Sequence, residues 1–362
     1  MFSMSNRFEM TTCKTVLVTG GAGYIGSHTI IELLNNNHTV IALDNFSNSN
    51  NETRNEKPEC IKRVEQITGK LLTFYPVDVC DKMSLIDIFH KHKIDCVIHL
   101  AGFKYVGESV KTPLPYYVNN ISSSLVLFEV MQDCNVKNLI FSSSSNVYGN
   151  PEFLPVTEDH PTGQKCTNPY AKSKYFIEEM LQDLCNSNPE WRVISLRYFT
   201  ASGAHKSGMI GENPLSVHLN LIPRIAQVAA GQKSQINVFG YDYDTKDGTC
   251  VRDYTHINDI AVGHIKALDK INQKDFRGWL AYNLGSGKGY TVLEVIKTFE
   301  KVSKKAVKYE LYERRKGDIK EMYADSTKAK TELGWNVEED IDGICRDVWN
   351  WQLNNPNGFK KC

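Results

Sequence analysis

At 362 residues, 41% of them hydrophobic, the chain is long enough to bury a core divided between two lobes at the usual ~100–200 residues per domain. Lys plus Arg and Asp plus Glu both number 42, so no net field draws the chain to nucleic acid or to an anionic membrane surface, and a small-molecule partner is expected. No apolar run approaches the ~18 residues of a membrane span, residues 1–13 read as a loose polar tail and not a signal peptide, and the 10 cysteines lack paired metal-ligand spacing, so a cytoplasmic protein with reduced thiols and no metal site is the expectation.

The first element is a short apolar run, Val16-Leu17-Val18, of the kind that forms a central parallel strand, and Gly20, Gly23 and Gly26 follow it at once. Strand, tight turn and helix in that order make a dinucleotide site: Gly20 permits the turn, Gly23 admits a pyrophosphate at the helix N-terminus, and Gly26 lets helix and strand pack closely. Tyr24 and Ile25 belong to the same junction and are counted with the cofactor contacts. The next strand, residues 39–43, ends at Asp44, placed to bond both hydroxyls of an adenosine ribose and to repel a 2'-phosphate, which favours NAD over NADP.

Residues 45–59, opening with Asn45, are rich in Asn, Ser and charge and read as a surface loop over the adenosine end. A helix follows over 61–66, then a strand over 71–77 ending at Asp78 and Val79; Asp78 is placed either to reach the adenine amino group or to cap the helix over 82–92. A buried strand over 96–100 leads into Ala101-Gly102-Phe103-Lys104, where Leu100, Ala101 and Gly102 leave room for a ligand. Lys104 there either pairs with a phosphate or ribose or stays solvated. Residues 116–133 carry apolar side chains on more than one face, which implies a core contact and a subunit interface, and Asn119 and Asn120 near the start cap the helix or reach the site.

A strand over 139–141 then runs into Ser142 to Ser145 and Asn146-Val147-Tyr148-Gly149, bringing hydroxyls to the carboxyl edge of the sheet. In Asn168-Pro169-Tyr170-Ala171-Lys172-Ser173-Lys174, Asn168 suits an N-cap and Pro169 the first helical position, so Tyr170 and Lys174 share a face one turn apart. A phenol acting as base near neutrality must come down from a pKa of ~10 by about 3 units, or ~4 kcal/mol. One ammonium at ~4 Å in an effective dielectric near 20 contributes about that much, so Lys174 is expected to suffice.

Gly20-x-x-Gly23-x-x-Gly26, the serine run with Tyr148-Gly149 and Tyr170-x-x-x-Lys174 together resemble the extended short-chain dehydrogenase/reductase superfamily. Gly102-Phe103-Lys104 with Val106-Gly107-Glu108-Ser109, the segment from Gly240-Tyr241-Asp242 through Arg252-Asp253-Tyr254, and Arg314-Arg315-Lys316-Gly317-Asp318 resemble its UDP-glucose 4-epimerase (UDP-galactose 4-epimerase) family. The likeness runs from about Lys14 to the end of the chain.

That resemblance implies an α/β protein with a doubly wound (Rossmann) parallel sheet over 14–200 and a smaller α/β substrate lobe mainly over 201–362, partly interleaved with the first. It implies bound NAD, a UDP-galactose or UDP-glucose substrate, and a homodimer built on residues 120–133 and 175–184. Tyr170 is then the base, Ser144 the hydroxyl that bonds the sugar oxygen and relays its proton, and Lys174 the tuner of Tyr170 and ligand of the nicotinamide ribose, with Ser142 and Tyr198 beside the cofactor. Substrate contacts implied by the likeness are Lys104, Ser144, Tyr170, Phe199, Thr200, Asn220, Leu221, Asn237, Phe239, Arg252, Arg315, Asp318 and Met322. Guanidinium groups suit the pyrophosphate because each offers a fork of donors.

Departures from the family pattern stand at Thr200, where the family has Asn and weaker substrate binding follows, at Ser145-Asn146 in place of Ala-Thr, and at Lys316 in place of an acid. Met322 occupies a position that resembles a gate for a 2-acetamido group, and its bulk argues against UDP-GlcNAc as a good substrate. A 4,6-dehydratase would need an acid/base pair where Ser145 and Asn146 stand, a decarboxylase is disfavoured by the arginine loops, and a silent dinucleotide sensor would be expected to lose Tyr170 or Lys174.

Overall fold

Seven apolar segments, each too short for a helix, pair edge to edge in a computed structural model that describes residues 13–48, 57–214, 220–315 and 317–359. All of the expected tail over residues 1–13 except Cys13, the centre of the 45–59 loop and Lys316 lie outside the described residues. The strands are β1 (Thr15–Thr19), β2 (Thr39–Leu43), β3 (Thr73–Tyr75), β4 (Cys96–His99), β5 (Asn138–Ser144), β6 (Arg192–Tyr198) and β7 (Gly278–Leu284). They lie in the order β7-β6-β5-β4-β1-β2-β3, and every pairing is parallel. The order reverses between β1 and β4, which opens a crevice at their carboxyl ends.

Parallel strands need both faces covered, and the alternation along β1 shows how: Val16 and Val18 enter one core, Leu17 the opposite one, all three fully buried. Helices Tyr24–Asn35 and Ile257–Ile271 cover the first face; Lys82–Lys91, Ser123–Asp133 and Pro169–Ser187 cover the second. A third core lies beyond the sheet, around helices Leu221–Ala229, Val292–Ser303 and Ile341–Asn354. Strand Val251–His256 anchors that lobe, with Gly289–Thr291 antiparallel to it and Thr200–Ser202 and Glu321–Met322 parallel. Ile236–Phe239 and Tyr309–Tyr312 form a separate parallel pair.

Several expectations are corrected by these elements. Helix Ile257–Ile271 and β7, from the second half of the chain, join the first lobe, and β7 completes its sheet beside β6. Ser142, Ser143 and Ser144, expected beyond the end of a strand over 139–141, belong to β5, which continues through Ser144 because β6 pairs with it along its whole length, while Ser145 opens the short turn Ser145–Tyr148. The single helix expected over 116–133 is three pieces, Pro113–Tyr117, a π-turn Val118–Ser122 and Ser123–Asp133. Helix Lys82–Lys91 is capped by Asp81, whose carboxylate accepts from the Ser84 N–H at 3.2 Å, so Asp78 has no capping role. Among the described residues no helix is long and apolar enough to cross a membrane, and no cluster of His, Cys, Asp and Glu could hold a metal ion.

Candidate active site

The glycine turn leaves no room for side chains. Gly20 adopts φ +67°, and a Cβ on it would lie 2.8 Å from the Ala101 backbone nitrogen; a Cβ on Gly26 would lie 2.3 Å from the Gly20 carbonyl oxygen. Gly23 is the N-cap of helix Tyr24–Asn35 and makes no side-chain bond there, so the helix's first N–H groups face an open cleft of about 1060 Å³, its mouth included. Gly20, Gly23, Tyr24, Ile25, Gly26, Asp44, Asn45, Asp78, Val79, Leu100, Ala101, Gly102, Lys104 and Asn119 all line it. A tight backbone cradle, a helix N-terminus and a buried carboxylate one strand away fit a dinucleotide.

At the adenosine end, Asp44 accepts from the Ala22 N–H at 3.0 Å and the Phe46 N–H at 2.8 Å, which aims its carboxylate along the cleft wall. Asp78 is exposed and takes a bond from the Asn45 amide at 2.8 Å. Asn120 is buried with its amide committed to the protein: its oxygen accepts from the Phe103 N–H at 2.8 Å, and its nitrogen donates to the Phe103 carbonyl at 3.1 Å and the Ser173 hydroxyl at 3.0 Å. It therefore clamps the 102–104 loop to the helix Pro169–Ser187 and has no donor left for a ligand.

Lys104 is paired, not solvated. Its ammonium lies 2.8 Å from Glu212 Oε1 and over the rings of Tyr24 and Tyr105 at 5.7 and 5.6 Å. Burial opposes its charge, but Glu212 outweighs that and raises its pKa. The same buried carboxylate accepts from the Asn220 amide at 3.0 and 3.1 Å, so one acid joins a cofactor-side lysine to a substrate-lobe asparagine. Glu212 lines the cleft without any mark in the sequence; Gly211-Glu212-Asn213-Pro214 looks like an ordinary turn, with no spacing to single out the acid.

Tyr170, Ser144 and Lys174 meet at the carboxyl ends of β5 and β6. Asn168 caps the helix, accepting from the Ala171 N–H at 2.8 Å, and Pro169 takes the first helical position as expected. Lys174 donates to the Ser142 carbonyl at 2.7 Å and lies 4.8 Å over the Phe141 ring; burial lowers its pKa to about 7 against the opposing charge of Glu178. Burial raises the Tyr170 pKa, and what works against it is a hydrogen bond with Ser144 and then the charge of Lys104. Lys174, expected to suffice for making the phenol acidic, is itself desolvated, and the charge that opposes the rise at Tyr170 is that of Lys104. Tyr198 lies beside them, its pKa raised by burial against a bond with Ser142, and its hydroxyl donates to His264 Nε2 at 2.6 Å. His264 Nδ1 donates to the Ile260 carbonyl at 2.8 Å, which leaves Nε2 as the acceptor.

A buried network holds these edges in register. Arg197 forks onto Glu178 with bonds of 3.0 and 2.7 Å, Ser143 donates to Glu178 at 2.5 Å, and Arg197 also reaches the Tyr148 hydroxyl at 3.0 Å. Tyr148 in turn donates to Asn283 on β7 at 2.6 Å. Glu178 is one turn beyond Lys174, so β5, β6, β7 and the helix bearing Tyr170 are tied through one ion pair.

The substrate-lobe candidates stand outside the cleft that holds the cofactor residues. Phe199 and Met322 share a small buried cluster with Val147, Tyr148 and Ala324. Met322 sits opposite Arg252 in the strand register, and Arg252 donates to the Val251 carbonyl at 2.8 Å. Arg315 lies 4.9 Å over the Phe239 ring and 3.0 Å from Asp318. Thr200 opens the strand beside Tyr254, Leu221 starts its helix after Asn220, and Asn237 is exposed in the strand that ends at Phe239.

The family described as GDP-mannose 4,6 dehydratase matches residues 17–348. The UDP-glucose 4-epimerase of Drosophila melanogaster is 54% identical over 345 residues, covering 95% of this chain and 98% of that protein. The UDP-glucose 4-epimerase of Bacillus subtilis is 51% identical over 345 residues, with 95% and 98% covered. Among solved structures, the UDP-glucose 4-epimerase of Bifidobacterium longum in complex with NAD+ and UDP is similar with a TM-score of 0.90 and 50% identity, covering 95% of this chain and 99% of that one.

The burial of Lys174 has a measurable cost. Its folded pKa of about 7 lies below the ~10.4 of an unfolded chain, so the unfolded state binds more protons between those values and stability rises with pH across that window. Lys174→Met removes the penalty. Urea midpoints should exceed those of the parent most at pH 7 and below, with the gain shrinking to nothing towards about pH 10; a variant less stable at pH 7 would contradict the assignment.

Proposed function

Because the chain belongs to the UDP-glucose 4-epimerase family of the extended short-chain dehydrogenase/reductase superfamily, we propose that it interconverts UDP-galactose and UDP-glucose with Tyr170 as the base and NAD in the glycine-lined cleft. The observation that carries this reading is the buried pair Tyr170 and Lys174, one turn apart on the helix Pro169–Ser187, with Lys174 bonded to the Ser142 carbonyl on β5 at 2.7 Å, in a chain whose glycine turn admits no Cβ at Gly20 or Gly26. Bound NAD supplies the hydride acceptor for carbon 4 of the sugar and the source from which that hydride returns to the other face of the 4-keto sugar.

Tyr170 takes the proton of the sugar 4-hydroxyl and gives it back when the turned sugar is reduced. Ser144 hydrogen-bonds the same oxygen. A buried phenol needs cations to ionise, and this chain offers Lys104 from one side and Lys174 from its own helix; the positive charge of the cofactor adds to theirs. Gly20, Gly23 and Gly26 hold the pyrophosphate of the cofactor, Asp44 its adenosine ribose, and Lys174 its nicotinamide ribose. On the substrate side Arg252, Arg315 and Asn220 take the pyrophosphate of the UDP-sugar, and Asp318 its ribose.

Met322 is buried against Phe199 and Ala324, which supports a gate closed to a 2-acetamido group. A second copy of the chain is the proposed cover for Leu114, Val118, Leu125 and Phe176, which lie exposed on the consecutive helices Pro113–Tyr117, Val118–Ser122 and Ser123–Asp133 and on Pro169–Ser187. The expected cytoplasmic setting and a place in galactose metabolism agree with this substrate pair.

Purified protein should convert UDP-galactose to UDP-glucose without added NAD, and Tyr170→Phe should lower kcat by about a hundredfold or more. Near-normal turnover in that variant would remove Tyr170 from the base role. For the gate, kcat/KM on UDP-GlcNAc should fall at least about tenfold below that on UDP-glucose; equal values would show that Met322 yields. Leu125→Asp should convert a dimer to a monomer in light scattering after size exclusion, whereas a parent that is already monomeric would refute the interface.

A further inference from the structure

A serine hydroxyl has one hydrogen to donate and two lone-pair positions to fill. At Ser144 both positions are filled from a single neighbour: the Asn146 backbone N–H donates to Oγ at 3.2 Å, and the Asn146 side-chain amide donates to the same oxygen at 3.0 Å. Ser144 is 5% exposed and is the cap of the short turn Ser145–Tyr148, so solvent does not compete for that oxygen. One bond is left to it, the one its own proton can make, and the Tyr170 phenol is near enough for that hydroxyl to oppose the rise in its pKa.

We propose that Asn146 is a positioning residue that fixes Ser144 as an obligate hydrogen-bond donor, aimed at the oxygen of Tyr170 or of the sugar carbon 4. With no lone pair free, Ser144 does not accept the proton of the 4-hydroxyl, and the relay from sugar to serine to tyrosine suggested by the sequence is closed. Tyr170 takes the proton directly. Ser144 stabilises whichever oxygen carries the charge, the phenolate before transfer and the C4 oxygen during it. Thr commonly stands at position 146 in the family; it keeps the backbone N–H but has no side-chain amide, so the second of the two N–H donors belongs to this chain's departure from the pattern.

The inference rests on Tyr170 as the base and is separable from it. Asn146→Asp keeps the shape and the backbone donor but turns the side chain into an acceptor, which draws the Ser144 proton away from Tyr170. Asn146→Leu removes the amide without adding charge. The other titratable groups around Tyr170 are Lys104 on the loop after β4, with its partner Glu212, Lys174 on the same helix and Tyr198 on β6, and all of them are unchanged in both variants. Each variant is made alone and with Ser144→Ala, checked for retained NAD, and assayed as holoenzyme for kcat and KM on UDP-galactose across about pH 6 to 9.

Loss of the donor raises the Tyr170 pKa, so the acid limb of kcat should move to higher pH. In Asn146→Asp it should move by about one unit, with kcat about tenfold lower at neutral pH, KM within about twofold, and a smaller change in Asn146→Leu. The carboxylate's own charge acts in either background, so the part of the shift that disappears with Ser144→Ala measures the hydrogen bond. Equal shifts and equal losses with and without Ser144, or an Asn146→Asp enzyme with the parent's kcat, would overturn the proposal while leaving Tyr170→Phe as the separate test of the base.

Discussion

Burial pushes both members of the Tyr170–Lys174 pair toward their neutral forms, and the site depends on how that is countered. A buried phenol, away from bulk water, resists ionisation; an amine buried one turn away resists protonation for the same reason. The chain answers with further groups instead of exposing these two. Glu178 opposes the drop at Lys174, Lys104 and Ser144 oppose the rise at Tyr170, and each of those helpers is held by a partner of its own. Arg197 neutralises Glu178, Glu212 fixes Lys104, and Asn146 occupies the oxygen of Ser144. Charge balance at the sheet edge is thus built two layers deep.

Those layers are carried by backbone that permits few alternatives. β5 must run through Ser144 for the Ser142 carbonyl to face Lys174, for Ser143 to reach Glu178 and for Ser144 to meet Tyr170, and its pairing with β6 along its length ensures that. Arg197 and Tyr198 are adjacent on β6, so the strand's alternation sends one toward Glu178 and the other toward His264 on the opposite face. At the other side of the switch point, the contacts of Gly20 and Gly26 with neighbouring backbone fix how close helix Tyr24–Asn35 comes to β1. The cofactor end is set by main-chain crowding and the catalytic end by side-chain bonds.

Much of the first lobe was legible in the chain because several of its strands are apolar runs that end at a marked position: β1 just before the glycines, β2 before Asp44, and β5 in the serines. Period and punctuation suffice where both faces of a sheet are buried. What stayed hidden has a common physical origin. β7 and helix Ile257–Ile271 join the first lobe across a long stretch of chain, and nothing local in Gly278–Leu284 says which sheet it enters. The π-turn at Val118–Ser122 leaves no mark in an apolar pattern that fits a continuous helix. Glu212 and Asn146 look like turn residues, since their importance lies in which distant or neighbouring oxygen and nitrogen they meet. The weight first given to Lys174 came from counting charge without counting burial, which weakens the lysine as much as it burdens the tyrosine.

Several polar groups of the second lobe are paired within the protein: Arg315 with Asp318, Arg252 with the Val251 carbonyl, and the Asn220 amide, through one N–H shared between both carboxylate oxygens, with Glu212. A phosphate-bearing ligand that engaged these groups would exchange bonds, and its net gain from each contact would be the difference between a bond to an anion and the internal bond it replaces. Glu212 shows the consequence for the fold: holding Lys104 of the first lobe and the Asn220 amide of the second at once, this one buried carboxylate makes a change at either partner felt at the other.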